Sequence, residues 1–276
     1  MKPTLSQVCS LDSSFAADIE DYAAGHCHAI ELWLTKAESY IEQNSIDAVR
    51  KLLADHEVSA PAASYQGGVL ASQGEARREA WELFSRRLNL CRQLGVEVLV
   101  VACDVPFPLG QQDFERVRMS LGQAAQLAEE HGVRIALEFQ ARSALGNNLQ
   151  TAVALVEEVG SRALGLCFDA FHYYVGPSKP EDLGLLTADN LFHVQLCDLA
   201  DVAREFATDG DRILPGDGDI PLTPVIDRLH EIGYERAVSV ELMNPQIWRI
   251  PSRQFGEIGI TALRTILGQA SMDGSA

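Results

Sequence analysis

RIALEFQ, residues 134–140, is a short apolar run that carries a carboxylate, Glu138, at its C-terminal end. The pattern returns in LGLCFDAFH (164–172), LFHVQLCD (191–198) and AVSVELMN (237–244), which place Asp169, Gln195 and Glu241 near the ends of further predicted strands. Several acidic groups are buried together only if something offsets their desolvation and mutual repulsion. The sequence therefore predicts a divalent metal among these four side chains. Their oxygen atoms suit Mn²⁺ or Mg²⁺, with Co²⁺ or Zn²⁺ as substitutes.

Short apolar runs alternate with amphipathic stretches along the whole chain, which is typical of β-α units around a parallel sheet. Strands are predicted at 4–10, 29–34, 58–63, 98–102, 134–139, 164–169, 191–197 and 237–242. Helices are predicted at 15–24, 45–56, 74–94, 113–131, 148–159, 222–232 and 254–267. Eight such units in 276 residues predict a single (β/α)8 TIM barrel over residues 1–268, with a flexible C-terminal tail at 269–276.

An open, doubly wound sheet is the competing architecture, because it also consists of alternating strands and helices. Its dinucleotide-binding signature, GxGxxG after an early strand, is missing from the sequence. The run GDGD at 216–219 lies late in the chain and precedes a helix that begins near a proline. The number of units favours the barrel, whose reactive groups lie at the C-terminal ends of the strands.

The composition limits the partners of the chain. It has 22 basic and 39 acidic residues, and the formal charge of −17 would repel a nucleic-acid backbone. Its six cysteines are scattered without CxxC spacing, as in reduced intracellular proteins, and no stretch is apolar enough for a signal peptide or a membrane span. We expect a cytoplasmic protein with neither nucleic-acid nor membrane partners. Trp248, in the otherwise charged run QIWRIPSR, suits either a lid or a homo-oligomer contact.

The motifs ALEFQ, CFDAFH, FHVQLCD and SVEL, together with LPGDGDIPL at 214–222, resemble the xylose isomerase-like superfamily of sugar-phosphate isomerases and epimerases. The resemblance implies a metal held by the four side chains at the predicted strand ends. It also implies that Glu138 and Glu241 flank the substrate and move a proton. His172 would contact the substrate or assist in the acid–base chemistry.

Four further side chains are candidate substrate contacts: Glu31, His193, Asp198 and Arg212. His193 shares a strand face with Gln195 because side chains alternate along a strand. Arg212 is favoured over Arg142 and Arg204 as an anion-binding residue because it adjoins the LPGDGD segment. Each candidate also has a structural interpretation, such as an ion pair for Glu31 or a capped turn for Asp198. Trp33 suits either a sugar-stacking platform or a core position.

Gln195 separates this chain from many sugar epimerases of the superfamily, which carry HxH where this chain has His193, Val194 and Gln195. A glutamine here resembles the 3-dehydroshikimate dehydratases. The leading hypothesis is a metal-dependent isomerase or epimerase that removes a proton next to the carbonyl of a small sugar or keto-polyol. The alternative is a lyase that dehydrates 3-dehydroshikimate or a keto-inositol. An endonuclease IV-like phosphodiesterase and a non-enzymatic sugar-binding subunit are weaker alternatives, the former because of the acidic charge.

Overall fold

Eight parallel strands close into a barrel in sequential order in the computed structural model, which describes residues 1–270. The strands are β1 (Lys2–Ser6), β2 (Ala29–Trp33), β3 (Ser59–Gln66), β4 (Val98–Ala102), β5 (Arg134–Glu138), β6 (Leu164–Asp169), β7 (Leu191–Leu196) and β8 (Ala237–Val240). The α-helices are α1 (Phe15–Ala24), α2 (Leu34–Gln43), α3 (Ile46–Asp55), α4 (Gly74–Leu94), α5 (Gln111–His131), α6 (Leu149–Val159), α7 (Ala170–Val175), α8 (Leu222–Glu231) and α9 (Ser252–Ile266). The predicted (β/α)8 barrel is therefore confirmed.

The barrel interior is apolar below and polar at its C-terminal mouth. Beneath the mouth, the interior contains a small apolar cluster that is separate from the large core formed by the strands and the surrounding helices: Ala62, Val98, Val100, Ala136, Cys167 and Phe192. Ala136 and Cys167 come two residues before Glu138 and Asp169, so each pair lies on the same strand face. The alternation of side chains along β5 and β6 therefore places Glu138 and Asp169 next to this apolar cluster, on its C-terminal side.

The first predicted strand is wrong at its C-terminal end. The strand stops at Ser6, and Gln7–Ser10 forms a 3₁₀ turn in which the Ser6 hydroxyl accepts a hydrogen bond from the Val8 amide. Residues three apart lie on one side of a 3₁₀ turn. Gln7 and Ser10 accordingly both donate to the buried carboxylate of Asp18, at 3.2 and 2.7 Å. This polar contact favours the turn over an extended strand.

Two helices are absent from the sequence prediction. Helix α2 begins directly after Trp33 without a side-chain cap, so it lacks the usual start signal. Helix α7 is a short turn that begins immediately after Asp169, whose Oδ1 accepts a hydrogen bond of 2.7 Å from the His172 amide. Asp169 thus both ends β6 and caps the turn that carries His172.

The C-terminal end of the described chain packs onto its start. The amide of Gln269 donates to Arg264 O at 2.7 Å, and its side chain donates to Met1 O at 3.0 Å. The remainder of the predicted tail, 271–276, lies outside the described residues. Within residues 1–270 no helix has the length and apolarity needed to cross a membrane.

The segment between β7 and α8 folds back over the barrel mouth and is held by Asp198. The carboxylate of Asp198 accepts hydrogen bonds from the amides of Leu199, Gly216 and Ile220 at 2.8–3.0 Å. A Cβ atom at Gly218 would lie 2.2 Å from the carbonyl oxygen of Leu199, so only glycine allows this close backbone approach. The packing fixes the segment that carries Arg212.

We expect Gly218→Ala to destabilise the protein by about 1–3 kcal/mol, because the added methyl group meets backbone that cannot move freely. Gly122→Ala is the matched control: Gly122 lies inside α5 with open space around its Cβ position, and alanine there should stabilise by about 0.5–1 kcal/mol. Urea unfolding of the two variants measures both effects. Equal stability of the two variants would contradict the close packing.

Candidate functional site

A cavity of about 200 Å³ opens at the C-terminal mouth of the barrel. Its lining residues are Trp33, Tyr65, Glu138, Gln140, His172, Asp209, Arg212, Glu241 and Met243. The rings of Trp33 and Tyr65 stack with their centroids 5.4 Å apart and form an aromatic wall. The lining also carries the charged groups Glu138, Asp209, Arg212 and Glu241. The cavity therefore presents an apolar surface and an acidic surface to one small ligand.

The strands bring the four strand-end side chains to this mouth. Glu138 and Asp169 are the last residues of β5 and β6, Gln195 is the penultimate residue of β7, and Glu241 directly follows β8. Asp169 is the register partner of Gln195, and all four side chains are buried. The convergence arises because parallel strands of a barrel end at one face.

Arg212 lies among these acidic groups and is 1% exposed. Its Nη1 donates to Asp169 at 2.6 Å and to Glu241 at 3.1 Å. Its Nε and Nη2 donate to the same oxygen of Asp209, at 3.1 and 2.8 Å. The guanidinium carbon lies 4.4 Å from the centroid of the Phe171 ring. Burial alone would lower the pKa of Arg212, but the surrounding carboxylates raise it well above its ordinary value.

A layer of hydrogen bonds below the cavity connects Glu31, His193 and Gln195. The Nε2 of His193 lies 2.8 Å from one Glu31 oxygen, and Gln195 donates to the other oxygen at 3.0 Å. Glu31 and His193 are completely buried and do not line the cavity. The substrate contacts that the sequence predicted for Glu31 and His193 therefore stay predictions.

The amide of Gln195 faces the acidic groups with its nitrogen. This nitrogen donates to Glu241 at 2.8 Å, while the amide oxygen accepts from the thiol of Cys167 at 3.0 Å. Rotating the amide would turn its oxygen toward the carboxylates, an arrangement that is favourable only with a cation between them. Gln195 can therefore serve as a donor to Glu241, or as an oxygen ligand when a cation is present.

The residues of the site fit a divalent cation. One ligand atom from each of Glu138, Asp169 and His172 lies within 4.8 Å of the others, and all three side chains are buried. Nδ1 of His172 accepts a hydrogen bond of 3.4 Å from the Ala141 amide. Its other ring nitrogen, Nε2, is therefore available to bind a metal ion. Carboxylate oxygens with an imidazole nitrogen suit Mn²⁺, Co²⁺ and Zn²⁺. His172, predicted as a substrate contact, is thus also placed as a candidate ligand.

Burial and neighbouring charges shift the pKa values of the acidic groups in opposite directions. Burial raises the pKa of Glu138 well above its usual range, and the charge of Asp169 adds to this effect. Burial also raises the pKa of Glu241, although Arg212 opposes the shift. Burial acts in the same way on Asp169, but Arg212 and His172 more than offset it and lower its pKa. The site therefore contains one carboxylate held ionised and two that bind protons readily.

The remaining candidates lie outside the cavity, and the sequence missed several residues that line it. Asp198 holds backbone amides, Arg142 donates to Ala207 O, and Arg204 donates to Gly176 O, so all three brace loops. The missed lining residues are Tyr65, Gln140, Asp209 and Met243. Gln140, which donates to Glu138, could have been suspected because it follows Glu138 by two positions.

The model of the xylose isomerase-like TIM barrel family matches residues 21–261. The chain belongs to this family. The match covers the strands that carry all the strand-end groups and the Arg212 segment, so the resemblance of the sequence motifs is confirmed. Within the xylose isomerase-like family, the chain is similar both to isomerases and to dehydratases.

The inosose isomerase of Bacillus velezensis is 29% identical over 243 residues, which cover 82% of this chain and 86% of that protein. The 3-dehydroshikimate dehydratase of Pseudomonas putida is 26% identical over 184 residues, which cover 64% of this chain and 28% of that longer protein. The solved structure of the IolI protein, which holds a zinc atom, has a TM-score of 0.89 and 25% identity, covering 99% of this chain and 100% of that one. The named relatives are enzymes, and the prediction that this chain is an enzyme is confirmed.

We expect Glu138→Gln to stabilise the metal-free protein above neutral pH, because the amide removes the charge whose burial raises the carboxyl pKa. The stability that the protonated carboxyl contributes is complete below its unfolded pKa and is lost as the pH rises through the raised folded pKa. The variant escapes this loss, so its advantage over the parent should shrink from about pH 8 to about pH 5.

Thermal unfolding in the presence of a chelator measures this difference. Glu157→Gln, an exposed position on α6, provides the control for the loss of one acidic charge. Parallel stability curves for the parent and Glu138→Gln over this pH interval would contradict the electrostatic assignment.

Proposed function

We propose that the protein is a divalent-metal-dependent isomerase or epimerase of an uncharged, ring-shaped polyhydroxy ketone, acting by proton transfer next to the carbonyl. The observation that carries this proposal is the pair Glu138 and Glu241, two buried glutamates that line one small cavity. A general acid–base pair of this kind can remove a proton from carbon and return it at another position or face. The similarity to inosose isomerases supports the same class of reaction.

Glu138, Asp169 and Glu241 would hold the cation, with Gln195 or His172 completing the set. The zinc atom in the structure of the similar IolI protein supports a bound divalent metal. We favour Mn²⁺ or Mg²⁺ because three of the donors are carboxylates. When bound, the cation supplies Lewis-acid polarisation of the substrate carbonyl, which makes the neighbouring carbon more acidic.

The two glutamates are suited to different parts of the proton transfer. Glu138 accepts a hydrogen bond from Gln140, which fixes the direction of its carboxylate toward the cavity. Glu241 is held by Gln195 on one oxygen and by Arg212 on the other. Because burial raises both pKa values, each carboxylate is a stronger base than an exposed one and can also return the proton. His172, the third predicted catalytic residue, would orient a substrate hydroxyl or share in proton movement.

The charges of the cavity favour an uncharged substrate. Each of the three guanidinium nitrogens of Arg212 already donates to a carboxylate. Within residues 1–270, no other Lys or Arg lines the cavity. A phosphate or carboxylate on the substrate would therefore meet Glu138, Asp209 and Glu241 without a free Lys or Arg side chain to pair with. Trp33 and Tyr65 instead offer an aromatic surface to the C–H face of a sugar or cyclitol ring.

A dehydratase is the second candidate, and Gln195 favours it. The chain shares this glutamine with the pattern of 3-dehydroshikimate dehydratases, and one of these enzymes is among its relatives. Dehydration begins with the same proton removal and differs in the loss of a β-hydroxyl group. Of the two dehydratase substrates, a neutral keto-inositol fits the charge of the cavity better than the anionic 3-dehydroshikimate.

The cytoplasmic location and the homo-oligomer stay predictions. All six cysteines are buried as free thiols, which suits the reducing cytoplasm. The substrate would be a small sugar or keto-polyol, with neither nucleic acid nor membrane as a partner. A homo-oligomer contact through the segment around Trp248 stays a prediction; the indole now donates to Val8 O at 2.8 Å.

Chelation is expected to reduce turnover of an inosose to background, and Mn²⁺ is expected to restore it, because the buried carboxylates would lose the group that holds the substrate carbonyl. Steady-state assays before and after dialysis against a chelator, followed by separate additions of Mn²⁺, Mg²⁺, Co²⁺ and Zn²⁺, rank the metals. Full activity in protein shown by elemental analysis to be metal-free would refute the metal dependence.

Glu241→Gln is expected to lower turnover by a factor on the order of 10² to 10⁴, because an amide keeps the shape and an oxygen donor but cannot accept the proton. Exchange of substrate protons with D₂O, followed by mass spectrometry, should fall in parallel. The exposed Glu235→Gln is the control for loss of charge near β8. Parental exchange rates in Glu241→Gln would assign the base to another residue.

A further inference from the structure

Asp209 lies at the junction between the cavity and Arg212. It begins the 3₁₀ turn Asp209–Asp211, lines the cavity, and its side chain is 47% exposed. One carboxylate oxygen accepts from both Nε and Nη2 of Arg212, at 3.1 and 2.8 Å. Asp209 therefore occupies the edge of the guanidinium that would otherwise face a ligand in the cavity.

This edge is the part of an arginine that best recognises anions. Nε and Nη2 present two parallel N–H groups whose spacing matches the two oxygens of a carboxylate or phosphate. The opposite side of Arg212, Nη1, is committed to the completely buried Asp169 and to Glu241. An anionic ligand could bind this edge of Arg212 only by replacing Asp209.

We propose that Asp209 is a specificity-determining residue that closes the anion-binding edge of Arg212 and so restricts the cavity to uncharged polyol ketones. The inference rests on the proposed function for the class of substrate. Asp209 acts twice, by occupying the two guanidinium donors and by adding a negative charge at the cavity wall. A carboxylate-bearing ring would lose on both counts, whereas an uncharged ring of the same size would not.

The variant Asp209→Asn removes the negative charge of Asp209 without disturbing the fold. Its amide keeps the shape of the side chain, and the amide oxygen can still accept hydrogen bonds from Arg212. Asp211→Asn is a matched control on the same turn: it removes the same charge, but the Asp211 carboxylate accepts from Thr208 and does not contact Arg212. Asp209→Ala opens the guanidinium edge completely. Thermal unfolding of each variant in the presence of Mn²⁺ establishes that it is folded.

The test measures binding of two six-membered ring probes to the Mn²⁺-loaded protein by calorimetry. myo-Inositol is uncharged, and quinate is a polyhydroxy ring that carries a carboxylate. The parent and Asp211→Asn should prefer myo-inositol. Asp209→Ala should shift the affinity ratio toward quinate by roughly ten- to a hundred-fold, the gain typical of a charge-assisted contact, and Asp209→Asn should shift it less because its amide oxygen still accepts from Arg212.

Equal shifts in Asp209→Ala and Asp211→Asn would overturn the proposal, because only net charge would then matter. Quinate binding as tightly as myo-inositol to the parent, or no binding of either probe to any variant, would also overturn it. The proposed function is judged separately by turnover: a parent that shows the expected binding but converts no uncharged polyol ketone would refute the function and leave the role of Asp209 intact.

Discussion

The structure depends on the burial of three carboxylates, Glu138, Asp169 and Glu241, around the single guanidinium of Arg212. One guanidinium cannot balance three carboxylates in a low-dielectric interior, and groups in this position either bind protons or gather a cation. Below them, burial raises the pKa of Glu31, but the neighbouring His193 more than offsets this effect and lowers the pKa. Glu138 and Glu241 carry the negative charge that Arg212 does not balance, and their pKa values are raised. They are therefore the carboxylates that most readily bind either a metal ion or a proton.

The barrel makes this arrangement possible because the residues that stabilise the fold are different from the residues that form the site. The apolar interior below the mouth and the helices outside the strands supply the stability, while strand register fixes where each polar group ends. Asp198 then anchors the segment after β7, so that Arg212 and Asp209 return over the acidic groups. The rigid sheet thus supplies the carboxylates, and one packed loop supplies their counter-charge and the selective wall of the cavity. This division is expected of a fold whose sites lie in the loops after the strands.

The sequence predicted the barrel and the position of the strand-end groups because both follow from local periodicity, with an apolar run that ends in a polar residue repeated around the sheet. It could not predict α2, which begins without a capping residue, or the turn after Ser6, which depends on the distant Asp18. The sequence also did not predict a role for Asp209. Its contact with Arg212 in the cavity depends on how the loop folds back, and the spacing of the two residues alone does not determine it. The sequence identified Glu31 and His193 as candidates. That they lie below the cavity follows only from the register of the strands in the folded barrel.

The most direct test of the central claim is calorimetric titration of the metal-free protein with Mn²⁺ at neutral pH, in two buffers of different ionisation enthalpy. Because burial raises the pKa values of Glu138 and Glu241, a cation bound between them should displace protons. We predict that one ion binds per chain and releases protons to the buffer, and that fewer protons are released in Glu138→Gln. No measurable binding, or binding with the same heat in both buffers, would contradict it.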